Sequence, residues 1–175
     1  MEFFEVLTRR RSIRSYSAKE VEEEKLRHIF EAANLAPSAG NLQAYQVFVF
    51  RSKDKREALS RAAHDQKFII EAPVCLVFCA DPERSASEYG DRGRELYSVQ
   101  DATIAGSFAM LAAADLGLAT VWVGDFDEKK VQGIVGVGSV RPVVIFSLGY
   151  PAEEPKPPQR RAIEEIFRGD FPHTD

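Results

Sequence analysis

Residues 101–118, DATIAGSFAMLAAADLGL, constrain the fold of this chain most. The stretch is rich in Ala and apolar nearly all round. A helix of that kind has no face to give to water, so it is buried in a core or at a subunit interface. Its uncharged portion, Ala102–Ala114, is far shorter than the ~20 residues that span a bilayer. The rest of the chain must therefore surround it. With 175 residues, 45% of them hydrophobic, one domain over 1–175 has enough apolar material to do so, and whole-chain disorder is excluded.

The flanking segments alternate between strand and helix patterns. YQVFVFR (45–51), VCLVFCA (74–80), ATVWVG (119–124) and RPVVIFSLGYP (141–151) read as strands, the second apolar enough to be buried on both faces. Residues 1–11, 53–64 and 127–137 read as short helices or a helix and turn. In EEEKLRHIFEAANLA the apolar stripe is Leu26, Ile29, Phe30 and Ala33, and Pro37 ends that helix. SASEYGDRGRELY (85–97) is polar and broken by glycines, and is expected as an excursion or loop. One central sheet with helices results, α+β or α/β. The Pro-rich end, 151–175, offers only Ile163, Ile166, Phe167 and Phe171 as anchors. It fits an arm around a neighbouring subunit or a frayed terminus.

Charge and composition exclude several classes. Lys and Arg number 23 against 27 Asp and Glu, so the net charge is −4 and nucleic acid is not an expected partner. Cys75 and Cys79 lie four residues apart on one strand, about 13 Å, too far for a disulfide. His28, His64 and His173 are scattered, so no metal site is expected. Neither a secretory signal nor a membrane span is legible, and the expected location is the cytoplasm.

Four segments are candidates to carry chemistry. In Arg9-Arg10-Arg11-Ser12-Ile13-Arg14, guanidinium groups crowd together. They form a solvated basic face, or an anion site in which Arg forks and a Ser hydroxyl hold phosphate oxygens. If the stretch is extended, Arg10, Ser12 and Arg14 point the same way. Pro37-Ser38-Ala39-Gly40-Asn41-Leu42-Gln43 is a shaped loop, an ordinary turn or one whose Asn and Gln match the mixed polar edge of a heterocycle. At Val123-Gly124 a strand ends in glycine, which lets main-chain groups approach a ligand. Arg160 and Arg161 are tail surface charge unless the tail folds back. No G-x-G-x-x-G, P-loop or G-x-S-x-G motif is present, so a cofactor that carries the chemistry itself fits better than a side-chain triad.

In order, these pieces resemble the FMN-dependent nitroreductase family. The resemblance runs through R-x-S-x-R at Arg10, Ser12 and Arg14, and A-P-S-A-G-N-x-Q at 36–43. It continues in the helix from Gln100-Asp101-Ala102, G-L-A-T-V-W-V-G-D-F at 117–126, and S-L-G-Y-P at 147–151. It implies an α+β fold, a central mostly antiparallel sheet flanked by helices, in an intertwined homodimer with FMN at the interface. Arg10, Ser12 and Arg14 would hold the phosphate, with Arg11 adding main-chain contact and Arg160 and Arg161 returning to it. Pro37, Ser38, Ala39, Asn41 and Gln43 of the other subunit would line the isoalloxazine, with Val123 and Gly124 beside its reactive edge. Tyr45 stands where the family usually carries Trp. The implied activity is ping-pong transfer from NADH or NADPH, through the flavin, to a small electron-poor acceptor such as a nitroaromatic, quinone or flavin. Reductive dehalogenation, oxygen-dependent flavin breakdown and a non-catalytic flavin-binding role are compatible with the same resemblance. No side-chain acid or base is required, so no catalytic residue is assigned. Tyr89, Arg92, Arg94 and Tyr97 in 85–97 are the candidates to face donor or acceptor, or are plain surface residues.

Overall fold

The computed structural model describes residues 2–167 and 169. Its sheet has four strands, β1 (Tyr45–Phe50), β2 (Val74–Ala80), β3 (Ala119–Val123) and β4 (Arg141–Gly149), all antiparallel in the order β1-β2-β4-β3. These are the expected strands with trimmed ends, Gly124 and Pro151 lying just outside.

Every residue of β2 is buried, as a strand covered on both faces requires. Its alternate side chains separate into two cores. Leu76 and Phe78, with Phe146 and Leu148 of β4, meet α2 (Glu23–Asn34) through Leu26, Ile29 and Ala33. On the same face, α6 (Ser98–Asp115) contributes Ala105, Ala109 and Ala113. Its small side chains bring the helix close to the sheet, where the Phe146 ring centroid lies 5.2 Å from Phe78 and 5.2 Å from Trp122. Cys75, Val77, Cys79 and Ile145 face the other way. They pack against α3 (Lys53–Ala62), α4 (Phe68–Glu71) and α7 (Glu128–Val135) through Leu59, Ile69 and Val131. Cys75 and Cys79 are free and buried, and burial pushes both thiols up to about 12.

Residues 85–97 are helical rather than a loop. α5 (Pro82–Arg92) runs into a π-helical turn over Gly93–Tyr97 and on into α6, which begins at Ser98 instead of 101. The helix signals sit just ahead of the polar stretch. The Asp81 side chain accepts the Arg84 N–H at 3.2 Å, and Pro82 occupies the first turn, where a missing N–H costs nothing. The glycines permit this path instead of breaking it. Gly90 takes φ 56° and ψ −141°, and Gly93 passes so near the Ser85 carbonyl that a Cβ would collide.

Short α1 (Phe3–Arg9) packs on α6 and leaves Phe3 and Phe4 63% and 77% exposed. After β4 the chain bridges once, Pro151 to Tyr16, then runs without regular structure to α8 (Ile163–Ile166). Ile163, Ile166 and Phe167 are exposed, and Phe171 lies outside the described residues. Among the described residues no helix is long and apolar enough to cross a membrane.

Candidate cofactor site

The arginine segment is held as an extra partial strand. Ser12 bridges Thr120 on the edge strand β3, and the Ile13 N–H donates to the Thr120 carbonyl at 3.1 Å. Ile13 and Tyr16 are buried, and the Tyr16 hydroxyl donates to the Ile13 carbonyl at 2.7 Å. With Ile13 turned in, Ser12 and Arg14 face outward and are exposed. Gly149 makes room for this anchor. A Cβ there would lie 2.7 Å from Pro73 Cδ and 3.1 Å from Tyr16 Cδ1.

Arg10 and Arg11 line a cleft of about 1130 Å³ together with Thr8, Thr120 and the tail from Pro151 to Pro157. Burial, then the charges of Arg160 and Arg11, hold the Arg10 guanidinium below its usual value. The Arg160 charge is therefore felt at Arg10, although Arg160 does not line the cleft. Arg161 instead pairs with Glu165 at 3.1 Å. Among the described residues, no carboxylate is ion-paired with Arg10, Arg14 or Arg160. Arg11 donates to the Thr8 and Arg10 carbonyls at 2.6 and 2.8 Å, and Glu153 accepts the Arg14 main-chain N–H. Glu153 and Glu154 line the same cleft without pairing with these guanidinium groups, which an anion would bind directly.

The loop after α2 has unusual backbone geometry. Gly40, Asn41 and Gln43 have φ of 55°, 57° and 50°. Non-glycine residues there are uncommon, so the loop depends on outside anchors. Asp101 Oδ1 accepts the Ala39 N–H at 3.0 Å, and Oδ2 accepts the Ala44 N–H at 3.2 Å. Ser38 Oγ accepts the Gln43 N–H at 2.9 Å, and Arg84 Nε donates to the Leu42 carbonyl. Asn41 and Pro37 are exposed, while the Gln43 amide donates to Asn41 Oδ1 at 3.1 Å. Tyr89 lies over Gly40 so closely that a Cβ on Gly40 would meet its hydroxyl, and its ring packs edge-on to Tyr97 at 5.2 Å. Arg92 donates to the Tyr97 hydroxyl at 2.9 Å, and Arg94 pairs with Glu83.

Two groups result. Arg10, Arg11, Ser12 and Arg14 lie along the β3 edge, the strand that ends at Val123, just before Gly124. Val123 is buried at the end of that strand. Gly124 is exposed, four residues beyond Thr120 and roughly 13 Å along the chain. Pro37, Ser38, Ala39, Asn41 and Gln43 lead into β1, the opposite edge of the sheet. The cleft reaches neither that loop nor Gly124. Asp101 and Arg84 escaped the sequence reading as loop anchors. The signal for Asp101 was a carboxylate beginning an otherwise uncharged helix, and Arg84 carried none.

A family model for the nitroreductase family matches residues 7–68 and 65–150. The chain belongs to the nitroreductase family. The matched span includes the arginine segment, the 37–43 loop, Asp101 and Gly124, and stops short of Arg160 in the tail. Among relatives of this nitroreductase-family chain, an NADH dehydrogenase of Thermus thermophilus is 33% identical over 186 residues. That match covers 90% of this chain and 91% of the relative. An FMN reductase [NAD(P)H] of Bacillus subtilis is 34% identical over 176 residues, covering 90% and 71%. Among solved structures, NfrA2 of B. megaterium aligns with a TM-score of 0.90 at 29% identity, over 100% of this chain and 76% of that one.

Proposed function

We propose that this chain is an FMN-dependent oxidoreductase that uses NADH or NADPH and works as a homodimer. The observation that carries the reading is the arginine segment, with Arg10 and Arg11 lining a cleft beside the edge strand β3 and no carboxylate ion-paired with Arg10 or Arg14 among the described residues. Relatives named as an FMN reductase and an NADPH-flavin oxidoreductase support the cofactor and the donor. The residues fit the group. A phosphate monoester carries about −1.5 to −2 charge near neutral pH, which Arg10, Arg14 and Arg160 can balance. Ser12 adds a hydroxyl donor. Gly124, without a side chain, leaves its main-chain groups open to the ring. Asn41 and Gln43 offer both donors and acceptors to a heterocycle edge.

Arg10, Ser12 and Arg14 would hold FMN, which would supply hydride transfer from NADH or NADPH in ping-pong order to an electron-poor acceptor such as a nitroaromatic, a quinone or a second flavin. The protein's residues bind and orient, and none has to move a proton. The sheet separates the arginine segment from the 37–43 loop, so a flavin held at the β3 edge meets that loop only from a second chain. Exposed Phe3, Phe4 and Leu7 on α1 and Phe108 on α6 form the apolar face suited to that partner. The tail, with Ile163, Ile166 and Phe167 exposed, is suited to lie across it. Tyr89 of α5 packs against Gly40 of the loop, while Pro37 and Asn41 stay exposed to meet a ligand. A soluble cytoplasmic enzyme accords with this reading.

Steady-state rates measured while varying NAD(P)H at several fixed acceptor concentrations test the order. Parallel double-reciprocal lines are expected with nitroaromatic, quinone or flavin acceptors. Intersecting lines would reject ping-pong transfer, and no turnover of any acceptor would reject the enzyme.

A further inference from the structure

Asp101 is the single buried carboxylate among the described residues, 2% exposed, and no cation there is within ion-pair distance of it. Burying a lone charge is costly, and a helix packed by alanines has no need of one. What offsets the cost is the pair of N–H groups it accepts, at 3.0 and 3.2 Å, from Ala39 and Ala44. Those residues are the two ends of the segment that contains Gly40, Asn41 and Gln43 at positive φ. Arg84, from α5, grips the Leu42 carbonyl between them.

We propose that Asp101, seconded by Arg84, is a positioning residue that presets the 39–44 loop for the flavin ring. The assignment rests on the flavin reading above. A carboxylate presents an acceptor to each of two N–H donors. An Asn in its place presents one acceptor and turns its NH₂ against the other N–H. The loop then samples other conformations, and restoring the binding one reduces affinity. The effect falls on the ring end of the ligand, whereas Arg10 serves the phosphate end. Riboflavin, which has the ring without the phosphate, separates the two.

The experiment titrates FMN and riboflavin into wild type, Asp101→Asn, Arg84→Ala and Arg10→Ala, and records the visible band of the bound flavin. Asp101→Asn is expected to weaken FMN and riboflavin by the same factor, about tenfold, and to return the bound band toward that of free flavin. Arg84→Ala follows in the same direction with a smaller factor. An Asp101→Asn protein that melts at a lower temperature yet keeps wild-type riboflavin affinity and band shape would overturn the proposal, leaving Asp101 a structural residue only. Should Asp101→Asn not fold, Arg84→Ala decides. Equal weakening of both flavins supports the clamp, and wild-type behaviour overturns it. Wild type that binds neither flavin would reject the flavin reading itself and this assignment with it.

Discussion

Arg10→Ala is expected to weaken FMN binding by about 30- to 100-fold while leaving riboflavin affinity near that of wild type. Arg10 is partly buried and feels the positive charges of Arg160 and Arg11. A guanidinium in that position can form two charge-assisted bonds to a phosphate, each contributing ~1.5–3 kcal/mol before solvent screening. About 2–2.7 kcal/mol net corresponds to the stated factor. The sign on the free protein is opposite. Removing Arg10 relieves like-charge repulsion, so the unliganded variant is expected to be at least as stable as wild type. Calorimetric titration with the two flavins checks both statements. A variant that loses riboflavin as strongly as FMN would place Arg10 at the ring end instead.

The largest effect on folding is expected at Phe146. Its side chain is fully buried, and its ring stands between Phe78 and Trp122, 5.2 Å from each, under the alanine face of α6. Phe146→Ala removes the centre of that core and leaves a cavity the rigid strand β4 cannot close. A loss of about 3–5 kcal/mol follows, and a fall in Tm of roughly 10 °C. Thermal and denaturant unfolding of the flavin-free protein measure it. A loss well under about 1 kcal/mol would mean that this face of the sheet is not packed as described.

The strands were legible because each buried strand is marked locally. VCLVFCA is apolar at every position, and a strand covered on both faces needs nothing more. The Ala-rich helix does pack on the sheet, but only through one face with Ala105, Ala109 and Ala113, and Phe108 on the other side stays exposed. Residues 85–97 were not legible as helix, because Gly90 and Gly93 read locally as breakers. Their function in the fold, a kink and a close pass over Ser85, depends on tertiary contact. In the candidate site, the arginine segment and the 37–43 loop stood out by residue type alone. Arg160 and Arg161 were not distinguishable, since adjacent arginines differ only in direction: the charge of Arg160 is felt at Arg10, and Arg161 pairs with Glu165. The Asp101 clamp joins residues 57 and 62 positions apart, and no local pattern records such a contact.

On the proposed function, this chain binds FMN and accepts electrons from a nicotinamide donor. The most direct test is the visible spectrum of the purified protein, loaded with FMN, before and after NADH or NADPH is added without oxygen. Flavin absorbance bands that bleach on addition of the donor are the predicted result. A colourless protein that takes up no added FMN would contradict the account, and flavin bands that persist with both donors would contradict the hydride source.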